Sequence, residues 1–202
     1  MDENLRLNSW LVIDAPYGSR EQNKPENDPP GYQRVHWEDV LKSLVRAGAQ
    51  ISSTMPDTKD ILQQEPQVVI IQGHSSIANP EKAIYLTGTG RAQIHPRNFP
   101  SLKGCRLLWL DTCFGDVWLE SGLRERLDPG TIVVSTSAAK PDAYAGGAGA
   151  ISDLANRWPG GRQAAWQPEV LLERVSEAVN NIPDTGNHPQ NLIVSVHNPT
   201  NF

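Results

Sequence analysis

With 202 residues, 38% of them hydrophobic and 20% charged, the chain can build one substantial core but is short for two, so a single domain spanning residues 1–202 is expected. A net charge of -5 and no Lys/Arg cluster longer than two argue against nucleic acid as a partner. No apolar run approaches the roughly 20 residues a membrane helix needs, and the opening MDENLRLNSW has no basic region followed by an apolar one. No membrane partner and a cytoplasmic location are therefore expected.

Ser9 to Ala15 (SWLVIDA) reads as the first strand, with Asp14 at its exit. The polar, proline-rich stretch Pro16 to Gly31 cannot build a core and is expected to be an exposed insertion, a candidate lid, processing site or partner-binding loop. Trp37, Val40, Leu41, Leu44 and Val45 recur at helical spacing and predict the first crossover helix, which Gly48 stops at its C-cap. Gln50 to Thr54 is a weak second strand. Asp57 to Glu65 is a short helix begun by an Asp cap and ended before Pro66, and Gln67 to Gln72 is the third strand, with His74 just past its end.

Ala83 to Thr87 and Arg91 to Ile94 flank Gly88-Thr89-Gly90 and predict a small hairpin. The run Leu107 to Leu110 lies between Gly104 and Gly115 and is too short for a helix. A buried strand of a parallel sheet fits it, delivering Asp111, Thr112 and Cys113 to its end. Leu119, Leu123 and Leu127 then mark a helix that Pro129-Gly130 ends, and Thr131 to Ser137 is the fifth strand. A small-residue loop, Ala138 to Gly149, precedes a helix carrying Ile151, Leu154, Ala155 and Trp158. Pro168 starts the helix with the strongest apolar stripe, Leu171, Leu172, Val175, Ala178 and Val179, and Asn191 to His197 is the last strand. Strands alternating with helices imply an α/β fold with a mainly parallel sheet of six core strands covered on both faces.

Two apolar strands thus end in residues that can do chemistry, since ligands of open α/β sheets sit beyond the carboxyl ends of the strands. Cys113, at a strand exit just before a helix, has the partial exposure and helix dipole that favour a thiolate. His74, at another exit, could take the thiol proton and return it to a leaving amine. The bland alternatives are a packed small residue at 113 and a loop histidine bonded to backbone at 74. Cys105 and Cys113, about 26 Å apart along one strand at about 3.3 Å per residue, cannot pair. The other histidines, His36, His95, His188 and His197, have no metal-ligand spacing, so neither metal nor cofactor is expected.

The motifs Gly73-His74 and Asp111 to Gly115 (Asp-x-Cys-x-Gly), each closing an apolar strand, resemble those of the caspase-like cysteine peptidases, the group that includes metacaspases, legumain-like enzymes and CHAT domains. Order and spacing agree with the likeness: His74 precedes Cys113 by 39 residues, near the roughly 50 of caspases. The resemblance implies a three-layer α/β/α sandwich of the caspase-hemoglobinase type and a cysteine endopeptidase with a His74–Cys113 dyad. It also implies an oxyanion hole made by the backbone N–H groups of Ser75 and Cys113, with Ser75 standing where the family usually has glycine.

Metacaspases use the aspartate two before the cysteine, here Asp111, to receive a basic side chain, together with an acid after the first strand that Asp14 matches. Cleavage after Arg or Lys is implied, with Ser137 at the exit of the fifth strand lining the same pocket. Asp111 as the cap of a turn and Asp14 as a plain strand-end residue stand as the alternatives. Only 17 residues separate Cys113 from Thr131, too few for the helix and an excisable linker as well. A protein or peptide substrate is the expected partner, with a regulatory protein as a further candidate. The competing function classes are a non-catalytic interaction or scaffold module of the same fold and another thiol chemistry such as acyl transfer.

Overall fold

The computed structural model describes residues 10–14, 37–52, 63, 65–73, 75–78, 83–87, 93–94, 96–112, 114–136, 147–157, 167–182 and 192–198. Its strands are β1 (Trp10–Asp14), β2 (Gln50–Ser52), β3 (Val68–Gly73), β4 (Ser75–Ala78), β5 (Ala83–Thr87), β6 (Gln93–Ile94), β7 (Leu107–Thr112), β8 (Ile132–Thr136) and β9 (Leu192–Val196). The α-helices are α1 (Trp37–Arg46), α2 (Gly115–Trp118), α3 (Ala148–Arg157) and α4 (Pro168–Asn180). For β1 and for residues 72–94 the description is of backbone alone.

The main sheet runs in the order β2-β1-β3-β7-β8-β9. Every pairing from β2 to β8 is parallel, and β9 closes the edge antiparallel to β8. One rung of register crosses it from β1 to β9: Trp10, Val68, Leu107, Ile132 and Val196. A second, three-stranded antiparallel sheet is ordered β4-β5-β6. Its β5–β6 pairing is the expected hairpin, and β4, which follows β3 after one residue, joins it as a strand without a clear signal in the sequence.

The apolar runs of β3, β7 and β8 are continuous because both faces of the sheet are covered. On one face Val68, Ile70, Leu107, Trp109, Ile132 and Val134 pack against Val40 and Leu44 of α1, Ile151 and Leu154 of α3, and Leu171 and Val175 of α4. On the other, Val69, Ile71, Leu108, Leu110 and Val133 meet Phe99, Leu102, Trp118, Leu119, Leu123 and Leu127. Phe99 and Trp118 meet there edge to face, with ring centroids 6.1 Å apart. Burying one such aliphatic side chain stabilises the fold by about 1.5–3 kcal/mol.

Helix α1 ends as expected at Gly48, whose φ of +92° suits a residue without Cβ, while the N–H groups of Gly48 and Ala49 return to the carbonyls of Val45 and Leu44. Pro168 stands at the start of α4, where its missing N–H costs nothing.

Three expectations need correction. The helix marked by Leu119, Leu123 and Leu127 is broken: α2 is followed by a π turn (Leu119–Leu123) that loses helical geometry at Ser121 and at Gly122, where φ is +108°, and then by a 3₁₀ turn (Arg124–Arg126). Leu127 is extended and bridges to Leu102. The three leucines are buried all the same, which is the property their spacing reported. Cys105 precedes β7 rather than sharing a strand with Cys113. Val45 of the α1 stripe faces solvent. The Pro16 to Gly31 loop and nearly all of the Asp57 to Glu65 helix lie outside the described residues.

Candidate active site at the ends of two adjacent strands

Strands β3 and β7 are neighbours, and Gly73 and Thr112 are partners on the last rung they share. His74 is the residue after Gly73, and Cys113 the residue after Thr112; both lie outside the described residues, as does Ser137, which follows Thr136 at the end of β8. Of the Ser75 position, the backbone alone is described, at the start of β4. The sequence positions singled out as nucleophile and base therefore follow the paired ends of adjacent strands.

The chain beyond Cys113 turns sharply. Phe114 occupies the left-handed region (φ 59°, ψ 35°), a conformation disfavoured for a non-glycine residue, and α2 begins at the next position. Gly115 is buried against β8 so closely that a Cβ there would meet the Thr136 backbone nitrogen at 2.8 Å and the Ser135 Cβ at 3.2 Å. Its N–H donates to Thr136 Oγ1 at 2.9 Å, and the same hydroxyl donates to the Thr112 carbonyl at 2.5 Å. Because α2 has four residues and the turns after it are irregular, the dipole expected to favour a thiolate at 113 comes from a short helix, not a long one.

Asp111 lies one residue before the end of β7 and is 1% exposed. Its Oδ1 accepts the N–H of Gly147 at 3.1 Å, and the Gly147 carbonyl in turn accepts the first bond of α3, from the Ile151 N–H. The aspartate thus caps the start of a helix that follows β8 in sequence. A Cβ at Gly147 would come within 2.7 Å of Asp111 Oδ1 and 3.0 Å of Trp109 Nε1, a buried donor with no hydrogen-bond partner among the described residues. Burial lifts the Asp111 carboxyl to about 7, against a smaller lowering by the Gly147 N–H.

Asp14 and Asp111 share a rung, with Gln72 between them. They do not stand on neighbouring strands: β3 separates β1 from β7, because the chain places its third strand in the middle of the sheet.

Cys105 is the opposite of a reactive thiol. It is buried, it donates to the Leu107 carbonyl, and burial pushes it up to about 12. Among the described residues no three His, Cys, Asp or Glu side chains gather as metal ligands, and no described helix is long and apolar enough to cross a membrane.

No protein-family model matches the sequence, and no curated protein matches it either. Among solved structures, the chain is similar to the crystal structure of the Drosophila initiator caspase Dronc at 11% identity and a TM-score of 0.47, over 96% of this chain and 81% of that one.

Two residues of this site carried no functional signal in the sequence. Thr136 reads there as the end of an apolar strand, and Gly147 as one more small residue in a glycine-rich loop. What gives each its place is a contact with β7, more than twenty residues away in sequence.

Proposed function

We propose that the chain is a cysteine endopeptidase that cleaves peptide bonds with Cys113 as nucleophile and His74 as its general base and acid. The observation that carries this reading is the pairing of Gly73 with Thr112, which makes His74 and Cys113 the next residues after the ends of adjacent strands. The tight turn through Phe114 and Gly115 supports it, because a nucleophile after a strand must be turned out of the sheet to meet a substrate.

In this mechanism His74 takes the Cys113 proton and the thiolate attacks the scissile carbonyl. The backbone N–H groups of Ser75 and Cys113 hold the oxyanion. His74 then protonates the departing amine, and water releases the acyl group from sulfur with His74 as base. Neither metal nor cofactor has a part in it.

The specificity half of the proposal places Asp14, Asp111 and Ser137 around the side chain that precedes the cut bond and gives preference to Arg or Lys. A buried carboxyl held by only one described N–H gains from a cation, since a guanidinium beside Asp111 would favour its charged form.

The decisive experiment is labelling with a peptidyl electrophile carrying a basic residue. Covalent modification should occur at Cys113 and vanish in Cys113→Ala. Labelling that survives this substitution, or an equal preference for an acidic analogue, would refute the nucleophile or the pocket respectively.

A further inference from the structure

Thr136 closes β8, and its hydroxyl is bound from both sides. It accepts the Gly115 N–H at 2.9 Å and donates to the Thr112 carbonyl at 2.5 Å. The two backbone groups it joins bracket residues 113 and 114. Thr112, Gly115 and Thr136 are all buried, and Thr136 is 0% exposed, so water does not compete for either bond.

The side chain is chemically selected. A hydroxyl is the shortest group that both donates and accepts through one atom, and here one atom must answer an N–H and a C=O three residues apart. Valine has the same shape as threonine and neither function. The fit is also steric: a Cβ on Gly115 would stand 3.1 Å from Thr136 Oγ1, so glycine at 115 lets the turn approach the hydroxyl. Phe114, in the left-handed region between the two bonds, has a conformation that persists only where its surroundings enforce it.

We propose that Thr136 is a positioning residue for Cys113: its hydroxyl fixes both flanks of the turn that carries the thiol without itself touching substrate. The proposal rests on the reading of Cys113 as nucleophile. Its consequence is that an atom on the fifth main-sheet strand in chain order sets the aim of a nucleophile that follows the fourth. Misplacement by about 1 Å can cost on the order of 100-fold in rate.

The test compares Thr136→Val, which keeps the shape and deletes both bonds, with Thr136→Ser, which keeps both. Three kinds of measurement are made below the thermal midpoint of each protein: kcat and KM on a peptide substrate, the rate of Cys113 alkylation by iodoacetamide, and hydrogen exchange at the Gly115 amide. Thr136→Ser should stay within about 3-fold of the parent in all three. Thr136→Val should lose roughly 10- to 100-fold in kcat with KM within about 3-fold, should change in alkylation rate, and should exchange Gly115 roughly tenfold faster.

Folded Thr136→Val with parental kcat and alkylation rate would overturn the proposal, as would a loss confined to KM or a loss that Thr136→Ser shares. If Thr136→Val does not fold, Thr136→Ala carries the same comparison. The readouts also separate this proposal from the peptidase reading. Turnover that persists in Cys113→Ala would defeat that reading, while exchange at Gly115 would still report whether Thr136 holds the turn.

Discussion

Gly73 and Thr112 face each other across the last rung that β3 and β7 share, each one residue before a side chain with chemistry to offer. If His74 and Cys113 act as a unit, Cys113→Ala and His74→Ala should each abolish peptide turnover, and the double variant should be no worse than the worse single one. Thermal unfolding should be nearly unchanged, since both positions follow strand ends. Unaltered cleavage by purified Cys113→Ala would rule out cysteine catalysis.

The active form should be one uncut chain between Cys113 and Thr131. Trp118, Leu119, Leu123 and Leu127 of this stretch are buried in the core. Asp128 accepts the Gly104 N–H, and the Thr131 hydroxyl donates to the Cys105 carbonyl, so the stretch is fastened to the chain just before β7 as well. Any self-processing should instead fall in Pro16 to Gly31, at Arg20 or Lys24. Intact-mass measurement of active protein checks this, and a required cut between 113 and 131 would contradict it.

Asp111 should make the fold less stable at neutral than at mildly acidic pH. Its folded value of about 7 lies above the ordinary 3.8, so between those values the folded chain holds a proton that the unfolded chain has lost. Stability then falls as pH rises through that window and levels off above it, by at most roughly 4 kcal/mol at about 1.4 per unit. Asp111→Asn cannot take part. The thermal midpoint of the parent minus that of Asp111→Asn should therefore increase on going from pH 8 to pH 5. A difference that does not change with pH would mean that Asp111 is not buried as a carboxyl.

Gly147→Ala should be costly, and the cost should depend on Asp111. The added methyl would come within 2.7 Å of Asp111 Oδ1, and overpacking of this kind costs roughly 1–3 kcal/mol. Shortening the aspartate vacates part of that space. Denaturant titrations of Gly147→Ala, Asp111→Ala and the double variant should give a sum of single effects larger than the double effect, and strict additivity would show that the two do not meet.

Much of this arrangement is legible in the sequence alone. Val68 to Ile71 and Leu107 to Leu110 are uninterrupted apolar runs because each strand is covered on both faces, and such runs announce themselves. Gly48 and Pro168 announced a helix end and a helix start for equally local reasons. The failures share a cause as well. Leucines at 119, 123 and 127 satisfy a helical period whether or not Gly122 swings to positive φ between them, since periodicity records which residues are buried and not how the backbone gets there.

Topology hid the rest. That β3 would lie between Asp14 and Asp111 depends on the order in which strands add to the sheet, and Thr136 and Gly147 matter only through what stands beside them in space. Asp111 stands out in the sequence by its place in a motif. Its hold on Gly147 joins a strand to a helix 36 positions further along, a separation at which sequence spacing says nothing.

The rung that joins Trp10 to Val196 through Val68, Leu107 and Ile132 bears on how the protein responds to force. A pull applied between those two residues acts along the hydrogen bonds that link the strands, so the ladders unzip bond after bond where a pull along the strands would load them together. Resistance to such a pull is low, and tearing starts at the end of the sheet opposite Gly73 and Thr112. Held by Trp10 and Val196, the protein would begin to give way while the strand ends next to His74 and Cys113 were still joined.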